Sequence, residues 1–279
     1  GAKVNGRRGW FVLPWFNIQP SELIKPFFCL ALGRFYDEQK KEGEFGRNLY
    51  LRCLAFVLVP LVLLAFQPDF GTMIIFLLSF LIFYYLIEGG EKFLLITLGA
   101  CVPIALIVIW KKAYIWDRLR SFWDPAFYGE AGGYHAMQLR RALANGGWSG
   151  KGEAQGIWAQ GYVPLTHNDS IFASFGEMKG LFGTVPLLAV FLVAFLWAIK
   201  IYKEREDHSG VLLLLVMLPI IQAFIHMSVN VLLFPVTGVT LPFFSYGGSS
   251  LVEMMLLIGI IVSYLKEKGK KDFEFKSED

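Results

Sequence analysis

Along this chain polar and apolar residues separate into blocks rather than alternating at a helical period. Stretches such as "TMIIFLLSFLIFYYLI" (72–87), "LLAVFLVAFLWAI" (187–199) and "VLLLLVMLPIIQAFI" (211–225) contain no charged side chain. A helix packed on a soluble core keeps a polar face at period 3.6, and these runs have none. Apolar stretches approaching about 20 residues are long enough to cross a bilayer as helices. The block pattern predicts seven spans, at roughly 21–36, 50–66, 70–87, 93–110, 171–199, 211–233 and 246–265. The first is short and carries Glu22 and Lys25; the fifth is longer than a bilayer requires and carries Glu177 and Lys179 in its first turns. The fold class expected is all-α: a polytopic membrane helical bundle of about seven transmembrane helices. It forms one membrane-embedded domain over 1–279, with a long loop at 111–169 and a tail at 266–279.

Composition supports the same class. Of 279 residues 55% are hydrophobic and only 18% charged, against about a quarter charged in soluble domains. Cys29, Cys53 and Cys101 lie in or beside apolar runs and read as small core residues, with neither disulfide nor metal spacing. No feature points to a nucleic-acid partner.

Charge sets the expected orientation. Arg34, Lys40, Lys41, Arg47 and Arg52 fill the 34–52 link, Lys200, Lys203 and Arg205 the 200–210 link, and Lys266, Lys268, Lys270, Lys271 and Lys276 the tail. With seven spans these segments share one side, which the positive-inside rule assigns to the cytoplasm. The start of the chain, 66–71, 111–169 and 234–248 then face outward. The outer 111–169 loop nevertheless holds Lys111, Lys112, Arg118, Arg120, Arg140, Arg141 and Lys151. Long loops translocate largely regardless of charge, so this cluster is either a solvated or headgroup-facing surface or an outward anion site. The chain opens in what reads as a loop, without an initial methionine or a signal-like segment.

Four stretches carry candidate chemistry. In "NIQPSELIKPF" (17–27), Glu22 and Lys25 share a helix face. As a surface pair they would contribute little, whereas inside a bundle an ionisable pair is expensive and usually has a task. In "FQPDFGT" (66–72), Asp69 reads as a helix cap. "PVTGVTLPFFSYGGSS" (235–250) is irregular backbone between apolar spans, which survives at membrane depth only where protein or a cavity satisfies it. In "YVPLTHNDSIFASFGE" (162–177), Asp169 stands at the head of a span, either as an N-cap or as a reactive carboxylate.

Taken together, "QPSELIK" (19–25), "QPDFGT" (67–72), "SFWDP" (121–125), "GGYHAMQ" (132–138), "NGGWSGKG" (145–152), "THNDSIFASFGE" (166–177) and "PVTGVTLPFFSYGGSS" resemble, in order, the signatures of the SEDS family (shape, elongation, division and sporulation). The likeness covers about residues 4–265. It departs from the family pattern at Leu165, where an acidic residue is usual, at Asn168, where threonine is usual, and at Met178 and Lys179. The family has ten spans, so the resemblance implies that this chain holds spans four to ten and that three earlier spans are missing. It further implies a peptidoglycan glycosyltransferase of the bacterial cytoplasmic membrane, acting during elongation, division or sporulation. Such an enzyme polymerises lipid II, an undecaprenyl-pyrophosphate-linked disaccharide pentapeptide, at the outer face, with a class B penicillin-binding protein as partner.

On that reading Asp169 is the general base. Glu22 orients Lys25, and Lys25, Arg140, Arg141, Lys151 or a divalent cation (magnesium or manganese) held by carboxylates stabilises the departing pyrophosphate. A lipid II flippase and a non-catalytic cell-wall scaffold are the competing classes. A flippase calls for polar groups spaced through the bundle, and a scaffold for more cytoplasmic docking surface than the short links and tail provide.

Overall fold

The structure is a computed structural model and describes residues 2–4, 7–12, 15, 17–111, 113–125, 127, 133–153, 155–204 and 209–276. Three short antiparallel strands, β1 (Ala2–Val4), β2 (Arg7–Val12) and β3 (Asn17–Ile18), precede the helices α1 (Pro20–Lys41), α2 (Gly46–Phe66), α3 (Phe70–Glu88), α4 (Glu91–Lys111), α5 (Ala113–Trp123), α6 (Gly133–Gly146), α7 (Ile157–Gly161), α8 (Ile171–Glu204), α9 (Gly210–Asn230) and α10 (Gly248–Lys276). The seven predicted spans correspond to α1 to α4 and α8 to α10. Among the described residues five helices, at 46–66, 70–88, 171–204, 210–230 and 248–266, are long and apolar enough to cross a membrane. Side chains such as Val59, Leu63, Val190 and Val193 are exposed on them, as expected of surfaces that face lipid.

One expectation changes. The first residues, expected as a loop, form strands: Ala2 pairs with Trp10, and Phe11 with Ile18. The signal was the Asn5-Gly6 dipeptide between them, a hairpin-turn sequence, although those two residues lie outside the described ones. The helix of the last span runs on to Lys276, through most of the segment expected as a tail.

Two compact units divide the chain: residues 1–87, 197–219 and 247–279, and residues 88–196 and 220–246. In the first, α1 packs against α2 and α10. Pro20 opens α1, Glu22 lies in its first turn, and Lys40 and Lys41 lie in its last. This order suits both the missing proline N–H and the helix dipole. Aromatic pairs fill the core: Phe28 stacks on Phe76 at 4.1 Å, and Tyr36 meets Phe83 edge-on at 5.2 Å. Gly33 lets α1 approach α9, because a Cβ there would lie 2.5 Å from the Val211 Cα. Asp69 caps α3, its carboxylate accepting from the Thr72 amide (3.4 Å) and hydroxyl (3.0 Å) and from the Ser21 hydroxyl (2.8 Å).

The second unit has a core of Phe172, Leu187, Phe191, Ala223, Met227 and Leu241. A smaller cluster of Leu139, Ala142, Val163 and Ala173 joins α6 to the start of α8.

Candidate functional site

Asp169 precedes α8 by two residues and is partly buried. The backbone that carries it is pinned at three successive carbonyls. His167 O accepts from the Tyr246 amide (2.7 Å), Asn168 O from the Ser245 hydroxyl (2.8 Å), and Asp169 O from the Asn230 side-chain amide (2.9 Å). Asn230 also caps α8 from outside, its Oδ1 accepting from the Ala173 amide at 3.1 Å. Ser170 O accepts the first helical bond, from Ser174 N. The N-cap position is therefore Ser170, and the amide that a cap side chain would serve is taken by Asn230. Capping of this amide, one reading of Asp169 in the sequence, thus falls to Asn230.

A polar stripe on α9 meets the irregular segment 235–246 at Val239 and Thr240. Gln222, His226 and Asn230 recur every four residues on one face of an otherwise apolar helix. The Gln222 amide donates to Thr240 O at 3.0 Å, and His226 Nδ1 donates to Val239 O at 2.8 Å. The carbonyl partner fixes the tautomer, so His226 Nε2 accepts from Asn230 Nδ2 at 3.2 Å. The stripe's spacing was visible in the sequence, but its role required knowing which carbonyls lay opposite.

On the other side of the loop, His135 Nε2 lies 2.8 Å from Ser170 Oγ, and that hydroxyl donates to Pro164 O at 2.7 Å. Ser170 has spent its proton, so His135 must donate, as the Nε2–H imidazole. Beside it a cavity of about 120 Å³ is lined by Arg118, Ser121, Phe122, His135, Ala136 and Val236. Burial, then the charge of Arg118, pushes the His135 imidazole from 6.5 down to about 4. The sign follows: below pH 6.5 the unfolded chain takes up a proton that the folded chain refuses. Stability is therefore lost as pH falls from 6.5 toward 4, by up to about 3 kcal/mol, and is unaffected above that window. His135→Gln keeps an N–H donor without a titrating group. The wild-type protein is expected to lose more thermal stability than this variant between pH 7 and about 4; parallel pH profiles would refute the assignment.

Arg140, Arg141 and Lys151 are exposed in the same unit. Arg141 lies over the Trp158 ring, 5.1 Å from its centroid. Lys151 belongs to a turn docked on α8, its amide donating to Glu177 O at 2.9 Å. Glu177 is fully buried and organises this region, accepting from Asn145 Nδ2 (2.7 Å), Trp158 N (3.1 Å) and Ala159 N (2.6 Å).

Glu22 and Lys25 belong to the first unit. Lys25 Nζ is 3.0 Å from Glu22 Oε1 and 3.2 Å from Glu253 Oε2, and all three side chains are buried. The expected pair is thus a triad. Exchanging Glu22 and Lys25 would set the new carboxylate against Glu253, so a double charge reversal is not a clean test of pairing. Among the described residues no three His, Cys, Asp or Glu side chains group as a metal site.

Long apolar helices enclosing buried polar and charged side chains define a multi-pass membrane protein. A family model for the FtsW, RodA and SpoVE cell cycle proteins matches residues 1–270, and the chain belongs to that family. It is 36% identical over 268 residues to the probable peptidoglycan glycosyltransferase FtsW of Mycobacterium tuberculosis, covering 94% of this chain and 51% of the relative. It is 32% identical to the protein of the same name in Alcanivorax borkumensis, covering 97% and 73%. The chain therefore spans about half the length of the mycobacterial relative. Among solved structures it resembles a chain of a peptidoglycan synthase complex, described for its coordination of polymerization and crosslinking, with TM-score 0.73 and 26% identity over 94% of this chain and 74% of that one. Thermus thermophilus RodA shares the fold, with TM-score 0.62 and 24% identity over 94% and 70%.

Proposed function

We propose that this chain is the catalytic membrane portion of a peptidoglycan glycosyltransferase that polymerises lipid II at the outer face of the bacterial cytoplasmic membrane. The observation that carries the reading is the pinned loop at the head of α8: three consecutive carbonyls, at His167, Asn168 and Asp169, are each held by a separate donor. Preorganisation of this kind is what a catalytic group needs to act without reorganising. Asp169 takes the proton of the acceptor sugar's 4-hydroxyl. The hydroxyl oxygen bonds to the anomeric carbon of the donor, inverting it, and undecaprenyl pyrophosphate leaves with the electrons of the broken bond. Pyrophosphate leaves readily, so a paired acid of the kind glycoside hydrolysis uses is not required. The partner is a class B penicillin-binding protein, a reading supported by the similarity to a chain of a synthase complex.

The test is polymerisation of purified lipid II by the full-length protein with its partner in detergent, where no flipping is needed. Glycan polymer from the wild type is expected. Its absence would favour a flippase, which the buried charges of Glu22, Lys25 and Glu253 also suit.

Within this reading the exposed Arg140 and Arg141 engage the pyrophosphate. A charge-assisted hydrogen bond contributes about 1.5–3 kcal/mol. Arg140→Gln with Arg141→Gln is therefore expected to weaken binding of the pyrophosphate lipid at least about tenfold, and binding of an uncharged lipid sugar much less. An equal loss for both ligands would mark the two residues as structural.

A further inference from the structure

The triad in the first unit has a charge that does not balance. Glu22 and Glu253 bring two carboxyls to one ammonium, Lys25, and the three are 5%, 0% and 0% exposed. Lys25 Nζ reaches one oxygen of each, Glu22 Oε1 at 3.0 Å and Glu253 Oε2 at 3.2 Å. The remaining oxygens, Glu22 Oε2 and Glu253 Oε1, are buried and meet no hydrogen-bond donor. Because both carboxyls contact the same Nζ, they are also brought close to one another. If both were ionised, that closeness would be a repulsion, two buried oxygens would be orphaned, and the cluster would hold a net negative charge inside an apolar bundle. Each of these is costly.

Among the described residues no neighbour supplies the missing positive charge. Glu22 and Lys25 are the charged groups that act on Glu253. The Cys29 thiol lies one turn beyond Lys25 on α1, within electrostatic reach of Lys25 and Glu253. Asp69, the residue before α3, accepts from the Ser21 hydroxyl and is no source of positive charge.

We infer that Glu22, Lys25 and Glu253 form a binding site for one proton, shared by the two carboxyls so that an acid–carboxylate pair is clamped on the Lys25 ammonium and the cluster is neutral. A single hydrogen between the carboxyls turns their contact from repulsive to attractive and gives a buried orphan oxygen its partner. Glu253 is then as much a part of the site as the Glu22 and Lys25 that the sequence motif contains. The inference does not depend on the role of Asp169.

The experiment is infrared spectroscopy of the full-length protein in lipid nanodiscs, with isotope-labelled glutamate, at a pH well above the ordinary carboxyl range. The wild type is expected to show the carbonyl stretch of a protonated glutamic acid. Glu22→Gln and Glu253→Gln should each abolish that band and leave the carboxylate bands undiminished, because whichever carboxyl remains pairs with Lys25 as the anion. Loss of carboxylate intensity in either variant, with no change in an acid band, would mean that both groups are ionised and would overturn the proposal. Should the variants fail to fold, the labelled wild type decides alone. The other buried glutamate among the described residues is Glu177, whose oxygens accept from three N–H donors, so a wild-type spectrum with no acid band would overturn the proposal as well.

Discussion

Asp169→Asn is expected to cut glycan polymerisation about 10²–10⁴-fold while leaving expression, thermal stability and lipid II binding close to wild type. The substitution keeps the size and hydrogen-bonding reach of the side chain and removes its capacity to accept a proton. The structure sharpens the comparison. Asparagine and aspartate rank together as helix caps, and the amide at issue, Ala173 N, is already served by Asn230. Three of the bonds that hold the loop are made at the main-chain carbonyls of His167, Asn168 and Asp169, which the substitution leaves alone. A large loss of rate with intact folding therefore points to chemistry. Near-normal polymer from the variant, measured with purified lipid II on a gel, would remove Asp169 from the mechanism. A loss of rate accompanied by a fall in melting temperature would return it to a structural part.

The helices were legible in the sequence because long apolar runs dominate the spanning segments. The predicted 70–87 and 93–110 spans differ from α3 and α4 by no more than two residues at either end. Individual motif residues were legible where a short-range rule applied: Asp69 caps the helix that starts beside it, and Glu22 lies three residues from Lys25. What could not be read was partnership across the chain. Glu253 stands 228 residues from Lys25, and Asn230 stands 61 from Asp169, separations at which no local periodicity operates. Glu177 illustrates the same limit. Its place in the first turns of a long span named no partner, whereas its carboxylate binds Asn145 and the amides that open α7. Polar residues inside apolar helices, at Gln222, His226, Asn230 and Glu253, were the available signal. A polar group at membrane depth needs a partner, and the partner is what the sequence leaves unspecified.

Gly180→Ala is expected to destabilise the second unit by at least about 3 kcal/mol and to abolish polymerisation with it. Gly180 interrupts α8 with φ 61° and ψ −162°, a conformation essentially confined to glycine. The kink is also where the "NGGWSGKG" turn docks. Leu181 N donates to Gly147 O at 2.9 Å and Phe182 N to Trp148 O at 3.0 Å, while Lys151 N and Gly152 N donate back to Glu177 O and Met178 O at 2.9 and 3.0 Å. These four backbone bonds leave no room for a side chain, since a Cβ on Gly180 would stand 2.4 Å from Gly150 N and 2.5 Å from Trp148 O. Both are main-chain atoms and cannot rotate away, so the turn must undock or the helix must straighten. Either movement displaces Glu177, and with it the contacts that hold α7 and Asn145. Gly161→Ala supplies the control, because a Cβ at Gly161, the last residue of α7, meets nothing within 4 Å. Thermal unfolding of the two variants in the same detergent should separate them widely. If Gly180→Ala melts with the wild type, the docked turn is not what stabilises this unit, and the kink in α8 would have to be explained by something other than the turn that fits it.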